Sequence, residues 1–424
     1  MNSLSREIRP VGPISATIRP PGSKSLTNRA LLCAALADGQ SHIGNALVSD
    51  DTRYMIGALR ALGLRVHEDA GGTEITVTGC DGRFPCDAAD LFVGDSGTAM
   101  RFLTAALTVG EGRYTVDGDE RMRERPIGDL IDGLRQLGAD VSARDGNYPP
   151  VTVCADGVPG GECSIDGRTS SQFISAVLMA SPYAKGDVTV RVANGLVSAP
   201  YVAMTRRVMA DYGVTVEEPE QHTYHIAAGQ RYRARHYAVE PDASAASYWF
   251  GAAAITGGSV RVEGIGSASV QGDVAFVDLL RQMGCEVRQG DDWTEVTGRA
   301  LRGIVADMAD ISDTAMTLVA VALFAHSTTT IRGIANVRVK ESDRIAAVVT
   351  EARKLGARVD ELPDGMIIHP APLHGAVIET YDDHRVAMSF AVVGLRLPGV
   401  VLTNPGCVAK TYPTFFDELA RFGA

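Results

Sequence analysis

The chain has 424 residues, more than one hydrophobic core usually supports, so two or more domains are expected. A formal net charge of -11 argues against nucleic acid or an acidic membrane surface as the main partner, because both reward an excess of Lys and Arg; anionic ligands would need local cationic clusters. The longest obvious apolar run, Leu318–Ala325, is far short of the roughly 20 residues that cross a bilayer, and the opening MNSLSREIRP lacks the apolar core of a signal peptide, so a cytoplasmic location is expected.

The first predicted elements are a hairpin-like pair, EIRPVG and ISATIRP, which stands alone at the start of the chain. An apolar helix follows, SKSLTNRALLCAALA, then a short β-like run, SHIGNAL, then an amphipathic helix ending in RALGLRV and a hairpin, LRVHED with TEITVTG. The same series recurs. The helix endings RALGLRV, RQLGADV, ADYGVTV, RQMGCEV, RKLGARV and ARFGA place Gly63, Gly138, Gly213, Gly284, Gly356 and Gly423 at intervals of 75, 75, 71, 72 and 67 residues. A glycine just past a helical stripe is the usual left-handed C-terminal cap, so one unit is repeated six times. Each repeat reads strand, helix, strand, helix, hairpin.

The first helix of each repeat opens on a small polar or acidic residue and is apolar almost all round: DSGTAMRFLTAAL, SSQFISAVLMA, DASAASYWFGAAA, SDTAMTLVAVALFA and DDHRVAMSFAVVGL after the one quoted above. Such helices belong in a core. The sixth repeat lacks its hairpin and the chain begins with an orphan one, so residues near 1 to 20 are expected to complete the sixth repeat. Three repeats per domain then give residues 1–20 with 240–424 as one discontinuous domain and 21–239 as the other, with the active site in the cleft between them; a continuous solenoid is the competing arrangement.

Helix N-termini present unpaired N–H groups and favour anions, although a polar cap alone is expected at any helix start. The cations beside them carry more weight. Lys24 and Arg29 in PGSKSLTNRAL oppose the dipole of a buried helix unless an anion is held between them. Arg121, Arg123 and Arg125 follow in GDERMRERPIGDL, where surface ion pairing is the plain alternative; Lys340, Glu341, Asp343 and Arg344 follow in VRVKESDRIAAV, and His384, Arg385 and Lys410 in the sixth repeat. Crowding these cations is repulsive, which predicts that the domains stay apart until anionic ligands neutralise them.

PGSKSLTNRAL, GTAMRF, RMRERPIGDL, TSSQF, SDTAMT, RVKESDR, YDDHR and AKTYP occur in an order that resembles the 5-enolpyruvylshikimate-3-phosphate synthase family nearly from end to end. The resemblance implies two similar α/β domains, each of three βαβαββ units with helices inside and sheets outside, barrel-like but inside out. It implies transfer of the enolpyruvyl group of phosphoenolpyruvate to the 5-hydroxyl of shikimate 3-phosphate with release of phosphate, without cofactor or metal. Carried over residue by residue, it assigns shikimate 3-phosphate to Lys24, Ser25, Arg29, Ser170, Ser171, Gln172, Ser198, Tyr201, Asp313, Asn336 and Lys340. Phosphoenolpyruvate is assigned to Lys24, Gly97, Arg125, Gln172, Arg344, His384, Arg385 and Lys410. Asp313 is implied as the base, Glu341 as proton donor and later acceptor, and Lys24 as a charge stabiliser that shares in proton transfer. For Asp313 the plain alternative is a helix cap, and for Glu341 a partner of Arg344.

The sequence departs from the family pattern at Arg101, Phe102 and Leu103, where many members have MRPL, and at Asp95, where many have Asn. Gly97 leaves room for phosphoenolpyruvate mimics, which implies sensitivity to glyphosate. The related UDP-N-acetylglucosamine transferases use a Cys in the loop that here reads DGDERMRERPIG, and none occurs between Cys86 and Cys154. A non-catalytic anion-binding module would need the arginines but not both Asp313 and Glu341. The seven scattered cysteines, with no C-x-x-C pair, are expected to be reduced thiols, and a clamp that encloses its own site is expected to be a monomer.

Overall fold

The computed structural model describes residues 5–423, in which the chain forms six separate α/β repeats. The second repeat is the most regular. Strand Ala88–Phe92 leads into helix Gly97–Leu107, strand Glu111–Asp117, helix Gly128–Gln136 and the antiparallel pair Asp140–Arg144 and Tyr148–Asp156. In its sheet the first two strands run parallel, Leu91 opposite Val116, and Tyr114 lies opposite Val153 of the antiparallel pair. The third and fifth repeats keep this order, and none of the six sheets closes on itself. All six repeat glycines have positive φ, from 84° at Gly423 to 111° at Gly284, so each releases its helix through the left-handed region that a Cβ disfavours.

The first helix of every repeat is enclosed, as its composition requires. Phe102, Leu103, Phe173, Trp249, Phe250, Leu318, Met388 and Phe390 on these helices are buried, and the strands turn alternate residues, such as Val151 and Val153, into the same cores. Five of these helices have a side-chain cap: Ser23, Ser96, Ser170, Asp242 and Asp383 accept from Leu26, Ala99, Gln172, Ala245 and Arg385 backbone N–H groups respectively. The fifth is different. It opens through the 3₁₀ turn Ser312–Thr314 without a side-chain cap, so SDTAM is not a capping sequence here and the Asp313 carboxylate is turned to other partners.

Chain contacts separate two compact units, one of residues up to Pro21 together with those from Glu240 on, the other Gly22–Val239. The N-terminal pair does not act as a hairpin, contrary to the sequence expectation. Strand Ser5–Ile8 does complete the sixth repeat, antiparallel to Val400–Thr403, but Ser15–Ile18 runs parallel to Ser259–Glu263 in the fourth. The reason lies in the crossovers. Strand His236–Ala238, which precedes the fourth repeat in sequence, pairs instead with Gln40–Gly44 of the first. The fourth repeat therefore lacks an opening strand of its own, and Ser15–Ile18 supplies one.

The docking of Ser15–Ile18 depends on a close approach that only glycine allows. A Cβ on Gly258 would stand 2.0 Å from the Ile14 carbonyl oxygen and 2.4 Å from its nitrogen, whereas one on Gly12 would meet nothing within 4 Å. Gly258→Ala is expected to lower the thermal midpoint by several degrees while Gly12→Ala leaves it nearly unchanged. Equal midpoints for the two variants in calorimetry would contradict this account.

Candidate active site

Cations gather at the openings of the inner helices in both compact units, and carboxylates lie against most of them. In the unit Gly22–Val239, Lys24 opens its helix with Nζ 3.0 Å from the buried carboxylate of Asp51. That anion comes from the next helix, Asp50–Ala61, where Asp51 sits in the first turn behind the Ser49 cap. Sequence reasoning missed Asp51, since an acidic pair after a serine is favoured at any helix start.

Arg29 lies deeper and is 1% exposed. Its guanidinium donates to Thr205 Oγ1 at 2.7 Å, to the Ser25 carbonyl at 3.0 Å and to the Tyr201 carbonyl at 3.2 Å, and lies 5.2 Å from the Phe102 ring and 6.0 Å from that of Tyr201. These hydrogen-bond partners are neutral, and burial lowers its pKa to about 10. Ser25 and Tyr201 are thus joined to Arg29, as the sequence assignment requires of neighbours. Ser170 caps its helix beside Ser171 and Gln172, and Ser198 holds a left-handed backbone, φ 54°, at the start of Ala199–Asp211.

Gly97, Asp95 and Arg125 come together at the start of the second inner helix. Arg125 donates to the Asp95 carboxylate at 2.7 Å and to the Asp95 carbonyl at 3.1 Å, while Arg101 donates to the Gly97 carbonyl at 3.3 Å and the Pro126 carbonyl at 3.1 Å. Arg121 and Arg123 do not share this place. They pair at the surface with Glu124 and Asp117, which is the plain ion-pair reading of that loop.

In the other unit, Asp313 is the hub. Its carboxylate lies 2.6 Å from Lys340 Nζ, 2.9 Å from Arg385 Nη2 and 3.3 Å from Arg344 Nη1. Burial pushes its pKa up, but Arg385, Lys340 and Arg344 outweigh it and hold the group well below the ordinary carboxylate range. Arg344, 1% exposed, also bonds Glu341 at 2.8 Å and Asp383 at 2.8 Å, and its pKa is raised because Asp383, Glu341 and Asp313 overcome the burial term. Lys410 Nζ lies 4.0 Å from Glu341, and Asn336 donates to Ser312 at 3.2 Å. His384 is buried at its helix opening, with Nδ1 3.8 Å from Asp383.

Asp383 carries a second duty that its cap position hid. It accepts from the Arg385 backbone, from Ser342 and, through both oxygens, from Arg344, so the sixth helix opening is tied to the start of the helix Arg344–Lys354. Within each unit, then, Asp51, Asp95, Asp313, Glu341 and Asp383 lie against cations that the sequence singled out, Glu341 as the partner of Arg344 that the plain alternative names.

The architecture defined by these repeats is that of the enolpyruvyl transferases. The protein matches the enolpyruvyl transferase NikO from Streptomyces tendae in fold, with TM-score 0.79 at 21% identity, over 99% of this chain and 97% of that one. An EPSP synthase from Acinetobacter baumannii matches with TM-score 0.83 at 27% identity, over 99% and 98%. The family described as EPSP synthase (3-phosphoshikimate 1-carboxyvinyltransferase) matches residues 8–419. Relatives named 3-phosphoshikimate 1-carboxyvinyltransferase include one from Trichormus variabilis, 50% identical over 412 residues and 96% of each chain, and one from Sulfurovum sp., 48% identical over 423 residues and 99% of each. The chain belongs to the EPSP synthase family.

Beside the hub lies a titrating group outside the sequence assignments. Asp273, hydrogen bonded to Ser244, is pushed up to about 6 by burial, with the Asp313 charge adding to the effect. The folded state holds this proton more tightly than the unfolded chain, so Asp273 favours folding below the ordinary carboxylate range and loses that contribution as pH rises through about 6. Asp273→Asn, which stays neutral, is expected to gain in thermal midpoint relative to the native chain at pH 8 compared with pH 5. An equal or opposite difference at the two pH values would contradict the assignment.

Proposed function

We propose that the protein transfers the enolpyruvyl group of phosphoenolpyruvate to the 5-hydroxyl of shikimate 3-phosphate and releases inorganic phosphate. The observation that carries this reading is the pair Asp313 and Glu341, two carboxylates joined through Arg344, which bonds both, with Lys340 and Arg385 on Asp313 and Lys410 near Glu341. A simple anion receptor needs the cations; it has no use for two acids that compete with its ligand.

In the reaction the 5-hydroxyl oxygen bonds to C2 of the enol as its proton leaves to a base and C3 gains a proton. The tetrahedral adduct then loses phosphate from C2 and a proton from the new methyl group. In this reading Asp313 serves as base and holds the substrate hydroxyls, while Glu341 gives the C3 proton and takes one back. Arg385, Lys340 and Arg344 hold the Asp313 carboxyl well below the ordinary carboxylate range. Phosphate and carboxylate groups that draw Lys340, Arg344 and Arg385 towards themselves would raise its basicity, so substrate binding would itself ready the base.

Arg344, Arg385 and Arg125 suit a carboxylate because a planar guanidinium meets two oxygens at once, and Lys24, Gly97, Gln172, His384 and Lys410 complete the phosphoenolpyruvate set. Ser25, Ser170, Ser171, Gln172, Ser198, Tyr201, Asn336 and Lys340 would take shikimate 3-phosphate, with Arg29 adding a buried positive charge behind Ser25 and Tyr201. Lys24 would stabilise charge that develops on the reacting atoms. In this reading a single copy of the chain acts on the two substrates, in the cytoplasm.

The pure protein is expected to release phosphate from phosphoenolpyruvate with shikimate 3-phosphate and not with UDP-N-acetylglucosamine; no release with either acceptor removes the reading. Glu341→Gln should lower kcat by about a hundredfold or more while still binding shikimate 3-phosphate, whereas a binding module would lose nothing. A Cβ on Gly97 would lie 2.7 Å from Arg125 Nη2 and 3.1 Å from Arg101 Nη1, so Gly97→Ala should raise KM for phosphoenolpyruvate more than for shikimate 3-phosphate. The reverse order of effects would remove Arg125 from the phosphoenolpyruvate set.

A further inference from the structure

Arg125 is nearly enclosed, its side chain 6% exposed, and the Asp95 carboxylate lies 2.7 Å from its Nη1, one of the donors an anionic ligand could use. Asp95 is reached more easily by water, at 18% exposure, and lies immediately before Ser96, the cap of the helix Gly97–Leu107. Its charge therefore meets both the guanidinium and the positive end of a helix dipole. An arriving carboxylate or phosphate that takes the same Arg125 N–H must displace Asp95 or share the nitrogen with a like charge close by. Either course costs binding energy.

We propose that Asp95 is an affinity-setting residue, an internal anion that competes with phosphoenolpyruvate for Arg125 and so holds the enzyme's affinity for that substrate low. The proposal rests on the reading of Arg125 as a phosphoenolpyruvate ligand. An amide at this position keeps the acceptor oxygen for Arg125, removes the competing charge and turns an N–H₂ donor towards the anion. The competition acts on one substrate, because Arg125 is not among the groups assigned to shikimate 3-phosphate.

The test compares the native protein with Asp95→Asn, and with Asp95→Ser as a second variant in case the first folds poorly. Kd for phosphoenolpyruvate comes from calorimetric titration, and KM for each substrate from steady-state rates. Asp95→Asn is expected to lower Kd and KM for phosphoenolpyruvate by about tenfold and to change KM for shikimate 3-phosphate less than about twofold. Damage to the fold would weaken binding, so tightening is a result that a merely structural role does not produce. Values for phosphoenolpyruvate equal to or above the native ones overturn the proposal. Tightened phosphoenolpyruvate binding without turnover in either protein would sink the transferase reading and leave this one standing.

Discussion

A buried cation is costly unless a counter-charge or hydrogen-bond acceptors meet it, and that constraint organises the charged clusters in this protein. Arg344 could not remain charged at 1% exposure in an apolar setting; three carboxylates, Asp313, Glu341 and Asp383, make its charge tolerable. Those acids are in turn fixed by the cation, so none of the group can be changed alone without stranding a charge. Arg29 is the contrasting case. Hydroxyls, carbonyls and aromatic faces surround it, and burial lowers its pKa.

This constraint explains how much of the site could be read from the sequence. Lys24 and Arg385 were legible because a charge at the opening of an otherwise apolar helix breaks the local pattern, and Arg125 and Arg344 because they stand in the charged runs GDERMRERPIGDL and VRVKESDRIAAV. Their partners were not. Asp51 and Asp383 occupy positions where an acid is favoured in any helix, so their second bonds left no trace in local sequence. Asp313 erred in the other direction: SDTAM has every appearance of a cap, yet the helix begins with a 3₁₀ turn and the carboxylate serves three cations instead of backbone N–H groups.

The repeat was far easier to read than the way its ends are joined. A C-terminal glycine and an all-round apolar helix are local properties, set by φ at Gly63 or Gly356 and by burial of runs such as Leu318–Ala322. Strand partnership across hundreds of residues is not local. The two N-terminal strands look like a hairpin because they are close in sequence and alternate in polarity, but one bonds to Val400–Thr403 and the other to Ser259–Glu263. The shortage that directs them, a fourth repeat without its own first strand, is visible only once the partner of His236–Ala238 is known.

That arrangement bears on how the chain is made. Ser5–Ile8 and Ser15–Ile18 leave the ribosome well before the strands that complete their ladders, which are translated after residue 399 and after residue 258 respectively. Until then both carry open edges with nothing in their own compact unit to pair with, although Gly22–Val239 already contains all the strands of its three sheets. The contiguous part can form during translation; the part that holds Asp313, Glu341 and Arg344 must await the strand Val400–Thr403, with the aggregation hazard that unpaired edges bring.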